Sequence, residues 1–272
     1  MEQPTPNLPD TNRLSVLAAT VLLAYAVTPF IQLPARAIQV QLPGIFLSFS
    51  LTFSTLTSVI AAALAGFGSD WLLRQHPRYD ETRAARHWLL PALTALVIGV
   101  PLNNLHAGVE WWVVFSFGGL LLVGVCAGEY IAADPQDPRY APVSALLSAV
   151  SFALFLVLAV GLRGAGLRMY LIVPALVGAL FLTVLRTLYL RLGERWVWTW
   201  PLGIAVVMGQ MAAGLHYWPL SPLQFGLILL GPAYALTSLA VSWEEGGSFA
   251  GQWIEPVLML AAVWGLAALV KQ

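Results

Sequence analysis

His106 and His216 are the side chains with the clearest chemical potential in this sequence. The first lies in LNNLHAGVEWW, with Asn103, Asn104, Glu110 and Trp112 around it; the second lies in LHYWPLSP beside Trp218. A histidine pair with a carboxylate can ligate a metal or pass a proton to a headgroup near neutral pH. The same residue types also match the polar–apolar boundary of a membrane edge, where each ring keeps one wet side. Both readings put this candidate site in outer loops.

No stronger chemical signature stands elsewhere. The HExxH zinc helix, the phosphate-binding P-loop and the dinucleotide fingerprint are all absent from the sequence. Glu244–Glu245 opens a pattern like the EExxxR of intramembrane CAAX-type proteases, but Phe249 stands where the arginine is needed. Gly68–Ser69–Asp70 lacks the GxSxG pattern of a nucleophile elbow. The single cysteine, Cys126, falls in an apolar run and has no partner for an internal disulfide. No catalytic residue, metal or cofactor is therefore expected.

The elements that must hold these loops are membrane helices. Of 272 residues, 59% are hydrophobic and 10% charged, and the mean hydropathy is +0.78. A soluble domain carries about 25% charged residues, and a span needs roughly 20 apolar ones. The net charge of zero offers no basic surface for nucleic acid. Apolar stretches fall near 14–33, 44–66, 87–102, 110–132, 141–161, 169–190, 197–215, 222–242 and 253–270. The expected fold is an all-α membrane protein, a bundle of about nine transmembrane helices. A polar tail, 1–13, precedes a single transmembrane domain, 14–270. The tail lacks the basic start and small-residue cleavage site of a signal peptide, so the first span reads as a retained anchor.

Charge sets an expected orientation. Arg13, Arg74, Arg78, Arg83, Arg86, Arg139, Arg186, Arg191 and Arg195 fall on the N-terminal side, against Arg36, Arg163, Arg168 and Lys271 opposite. The positive-inside bias puts the N-terminus in the cytoplasm and, after nine spans, the C-terminus outside. Arg74, Arg78, Arg83 and Arg86 also suit contact with anionic lipid on the cytoplasmic face. Trp71, Trp88, Trp111, Trp112, Trp196, Trp198, Trp218, Trp243 and Trp253 fall at span ends as an aromatic belt. Arg186 is the deepest charge and is placed to snorkel. No Asp or Glu falls at a midplane, which argues against ion-coupled transport.

An offset of 110 residues relates two segments. Trp88, Pro91, Ala95, Val97, Gly99, Leu105 and His106 match Trp198, Pro201, Ala205, Val207, Gly209, Leu215 and His216. Extended outward, this gives parallel four-helix repeats at 14–132 and 141–242 and an extra helix at 253–270. Chance matching in so apolar a chain is the alternative. The hydroxyls from Ser48 to Ser58 occupy helical faces suited to packing or to a polar path. Gly124 and Gly128 form a GxxxG surface for helix packing.

The segments HWLLPALTALVIGVPL, LHYWPLSPLQFGLILLGPAYALTSL and WIEPVLMLAAVWGLA resemble an uncharacterised family of bacterial multi-pass inner-membrane proteins. That resemblance implies a bacterial inner membrane and no activity. Three functions stay open. The leading expectation is a non-enzymatic integral membrane subunit, scaffold or assembly factor, with the bilayer and other membrane subunits as partners. The second is a transporter or flippase for an uncharged or lipidic substrate. The third is a lipid-headgroup enzyme using His106, His216 and Glu110.

Overall fold

The computed structural model describes residues 8–31, 33–34, 36–42, 45–79, 85–193, 195–246 and 253–270. Nine α-helices lie among them: α1 Thr11–Ala26, α2 Phe53–Leu73, α3 Leu89–Asn104, α4 Val109–Ile131, α5 Tyr140–Gly164, α6 Met169–Arg191, α7 Thr199–His216, α8 Pro222–Glu244 and α9 Ile254–Leu269. Six helical segments are long and apolar enough to cross a membrane: Thr11–Phe30, α2, α4, α5, α6 and α8. Helices α3 and α9 are apolar but shorter.

Local chemistry sets the helix ends. Asp10 caps α1 by accepting from the Asn12 N–H at 2.9 Å. Ser221 and Gln224 form a capping box on α8, with Pro222 in its first turn. Thr52 caps α2 by accepting from the Thr55 N–H at 3.1 Å.

The second expected span is corrected. Residues 44–66 do not form one helix: β1 (Arg36–Leu42) and β2 (Ile45–Leu51) pair antiparallel, from Arg36 opposite Leu51 to Leu42 opposite Ile45. The helix begins at Phe53 and runs on to Leu73. IQVQL, Ile38–Leu42, and LSFSL, Leu47–Leu51, alternate polar and apolar residues with period two, the signature of a strand rather than a helix. Ser48 and Ser50 therefore do not share helical faces with Thr52, Ser54, Thr55 and Thr57. Within α2, Thr57 and Ser58 donate to the carbonyls of Phe53 and Ser54, both at 3.0 Å.

The chain divides into two compact units, residues 1–130 and 131–272. In unit 1, α2 packs on α1 and α3. Gly118 of α4 would place a Cβ 2.8 Å from Ile98 of α3, and Gly119 one 2.9 Å from Leu22 of α1, so α4 lies close to both. The Tyr25 hydroxyl crosses from α1 to donate to the Ala95 carbonyl at 2.6 Å. In unit 2, α5 packs on α6 and α8, α7 on α6 and α8, and α9 on α8. Gly226 of α8 would place a Cβ 2.8 Å from Leu156 and 2.9 Å from Val160 of α5. Arg186 does not snorkel: it is 2% exposed, with its guanidinium 5.1 Å from the Tyr189 ring centroid. On the same stretch of α6, the hydroxyls of Thr183 and Thr187 are buried without a hydrogen-bond partner among the described residues. Of the two tryptophans at the start of α4, Trp111 is buried at 2% exposure and Trp112 is half exposed.

Candidate functional site

His106 follows the end of α3 in unit 1, and it is exposed together with Asn103, Asn104 and Glu110. Asn103 leans back to donate to the Ser58 hydroxyl at 3.4 Å, tying the end of α3 to α2. Trp112 forms an edge-on pair with buried Trp111, 4.9 Å between centroids.

His216 ends α7 in unit 2, and here the structure supplies a partner that the spacing did not suggest. Arg163, at the end of α5, donates to the carbonyls of His216 and Trp218 at 2.7 and 3.1 Å. Its guanidinium also lies 3.5 Å from the His216 Nδ1. Partial burial, with the neighbouring Arg163 charge, lowers the His216 pKa below the ordinary histidine value. The cation holds the chain reversal between α7 and α8 by satisfying the last carbonyls of a helix. Trp218 itself is exposed.

Titratable groups gather at the opposite end of unit 1. Asp70, in the last turn of α2, accepts from the Tyr79 hydroxyl and from Arg74 Nε, each at 2.9 Å. That hydrogen bond, with the adjacent charge, raises the Arg74 pKa. His87 Nδ1 lies 2.8 Å from a Glu129 carboxylate oxygen, joining the entry of α3 to the last turn of α4. Among the four arginines expected on the cytoplasmic face, Arg74 thus has a partner inside the unit, while Arg83 lies outside the described residues. Arg78 donates its backbone N–H to His76 Nδ1 at 3.1 Å, and Arg86 adjoins His87 in a short 3-10 turn. Gly124 meets open space, Gly128 is buried, and Gly118 and Gly119 of α4 make close approaches.

Unit 2 also holds an open polar cavity, a depression of about 380 Å³ at its surface. Its wall joins the start of α5 (Tyr140), the end of α6 (Arg191), the end of α8 (Ser238, Ser242 and Glu245) and the start of α9 (Glu255). Glu255 is fixed from α8: Tyr234 donates to one oxygen at 2.7 Å and Ser238 to the other at 3.4 Å. Among the described residues, no three His, Cys, Asp or Glu side chains group as metal ligands.

A family model described as Protein of unknown function (DUF5656) matches residues 33–270. The chain belongs to the DUF5656 family. The match spans both strands and helices α2–α9. No curated protein and no solved structure matches the chain.

In this DUF5656 member, His106 and His216 fall in different units. Sequence reasoning missed the groups that the units bring together: Arg163 with His216, His87 with Glu129, and the wall of the cavity. The first pair is 53 residues apart and the second 42. A regular local spacing could not have revealed either. The signal within reach was polarity at span ends, which Asp70, Glu129, Arg163, Arg191 and Glu255 all share.

Proposed function

We propose that the chain is an integral membrane protein built from two tandem four-helix units and one appended helix, α9. We further propose that it serves as a non-enzymatic subunit, scaffold or assembly factor of a larger membrane complex. The carrying observation is where charge and apolar surface are spent. The buried ionisable pair His87–Glu129 and the Asp70–Arg74–Tyr79 cluster have partners inside their own unit, as structural groups do. Large apolar side chains are instead displayed outward, on α4 (Val113, Phe117 and Leu120) and on α9 (Val257, Leu258 and Leu266). Such faces suit lipid or neighbouring helices.

Three packing relations inside the units support the tandem arrangement. Phe67 of α2 meets Trp88 at 5.6 Å, and Phe181 of α6 meets Trp198 at 6.0 Å, so each second helix touches the tryptophan that starts the third. Gly99 of α3 faces Ser58 of α2, and Gly209, 110 residues on, faces Val177 of α6. Gly119 of α4 faces Leu22 of α1, and Gly226 of α8 faces Leu156 of α5. The positive-inside bias supports a cytoplasmic N-terminus in an inner membrane.

The test is extraction at native expression in a mild detergent, followed by mass measurement of the intact particle. A stoichiometric assembly with other membrane subunits is expected; a particle of this chain alone would overturn the reading. A second reading, a transporter or flippase for a lipidic substrate, is favoured by the polar cavity in unit 2. It predicts accelerated lipid movement between leaflets in reconstituted vesicles.

A further inference from the structure

We infer that the unit 2 cavity binds a group carrying both a primary ammonium and a phosphate, the headgroup chemistry of phosphatidylethanolamine. The inference rests on the membrane reading above and on neither functional role proposed there.

Both halves of such a group meet a matching wall. Arg191 donates to the Tyr234 hydroxyl, and the guanidinium has five N–H donors, so others can pair with phosphate oxygens. Glu255 and Glu245 offer carboxylates to the ammonium. Glu255 is already aimed by the Tyr234 and Ser238 hydroxyls, at 2.7 and 3.4 Å. A carboxylate has about four acceptor positions, so two hydroxyl donors leave room for ammonium N–H groups. Ser242 and Tyr140 add hydroxyls to the wall.

The same geometry selects among headgroups. A primary ammonium brings three N–H donors to acceptors that need them. A choline has none, and its usual recognition by an aromatic cage is not matched by the described wall residues, among which Tyr140 is the one ring. An anionic glycerol headgroup can donate its hydroxyls to the carboxylates, but it brings a phosphate charge beside Glu245 and Glu255 with no ammonium to offset them. At about 380 Å³, the cavity is at the small end of ligand sites and suits a headgroup rather than a whole lipid. Acyl chains have a place beside it: Ile254, Val257 and Leu258, on the helix that supplies Glu255, are exposed. Soluble phosphoethanolamine carries the same two charges, and the source is separated by experiment.

The full-length protein, solubilised from membranes, would be placed in nanodiscs of equal palmitoyl-oleoyl phosphatidylethanolamine, phosphatidylglycerol and phosphatidylcholine. Native mass spectrometry then reads the lipids retained. We expect the ethanolamine lipid to be enriched about tenfold over the choline lipid, and Glu255→Gln to bring that ratio near one. Ser242→Leu, which narrows the cavity without touching the Tyr234–Ser238–Glu255 bonds, should do the same if Glu255→Gln proves unstable. Phosphoethanolamine binding to detergent-solubilised wild type but not to the variants, without lipid preference, would assign the site to the soluble ligand. Equal retention of all three lipids with no phosphoethanolamine binding would overturn the inference, as would a preference that survives both substitutions. A chain that remains soluble without detergent would instead sink the membrane reading itself.

Discussion

His87 Nδ1 and a carboxylate oxygen of Glu129 approach to 2.8 Å, with side chains only 7% and 1% exposed. The contact ties the start of α3 to the end of α4, two elements joined in sequence only at their other ends. Removing one member of a buried ionisable pair costs about 3–5 kcal/mol. Glu129→Ala should therefore lower the melting temperature of the detergent-solubilised protein sharply. A double variant, His87→Leu with Glu129→Leu, should recover much of the loss. An unchanged melting temperature in Glu129→Ala would show that the pair contributes nothing.

Close approach at Gly226 predicts intolerance of bulk. A Cβ there already meets Leu156 and Val160, and the valine is stiff at χ1. Gly226→Leu should cost about 1–3 kcal/mol through overpacking. Gly178→Leu, at a glycine of α6 that meets nothing within 4 Å, should be tolerated. Equal thermal stability of the two variants would contradict the packing described for α5 and α8.

The hydroxyls of Thr183 and Thr187 are buried in α6 without partners among the described residues. Leaving such a group unsatisfied costs about 1–3 kcal/mol. Thr183→Val and Thr187→Val keep the shape and remove the polar atom, so each should raise the melting temperature. A fall in either variant would mean that its hydroxyl has a partner after all, with ordered water the first candidate.

His216 gives a pH dependence whose sign is fixed. Its pKa is lowered in the folded state from the ordinary value of 6.5, by burial first and by Arg163 second. The unfolded chain therefore binds the proton more readily, and stability rises with pH through this window. Stability is complete above the ordinary value and is lost as pH falls below it, toward the lower folded value. In thermal melts across that interval, His216→Gln should show a shallower decline than wild type. Parallel declines would remove His216 as the cause.

Membrane sidedness is checked by labelling. Cys126 is buried and can be replaced by alanine to clear the background. A cysteine at His106 should then react with an impermeant maleimide added outside intact cells. A cysteine at Gln136, exposed in the turn between α4 and α5, should react only after permeabilisation. The reverse pattern would invert the proposed orientation.

Helix existence was legible because a span needs only length and apolarity, both local properties. Eight of the nine expected stretches start within three residues of a helix and require no knowledge of neighbours; the end of the first stretch and the start of the second show what goes wrong. Stretch 14–33 overran α1, which stops at Ala26 and gives way to a 3-10 turn at Thr28–Phe30. Stretch 44–66 began inside β2, because a hydropathy window averages over the alternation of Leu47, Ser48, Phe49 and Ser50 and discards it. The dipeptide Pro43–Gly44, between two alternating runs, was the available hairpin signal. The candidate site was less legible still. His106 and His216 can be picked out as candidates from residue type. Yet Arg163 reaches His216, and Glu255 meets Tyr234 and Ser238, only after helices distant in sequence pack.

The paired strands between α1 and α2 carry a last consequence. A two-stranded ladder leaves backbone amides and carbonyls along its outer edges, and hydrocarbon offers them nothing to bond. Those edges must lie in water or among headgroups, at the end of unit 1 where Asn103 reaches Ser58. If the chain spans a bilayer as proposed, the ladder would act as a float: it would mark a waterline on unit 1 and limit how far α1 and α2 could sink into a thicker bilayer.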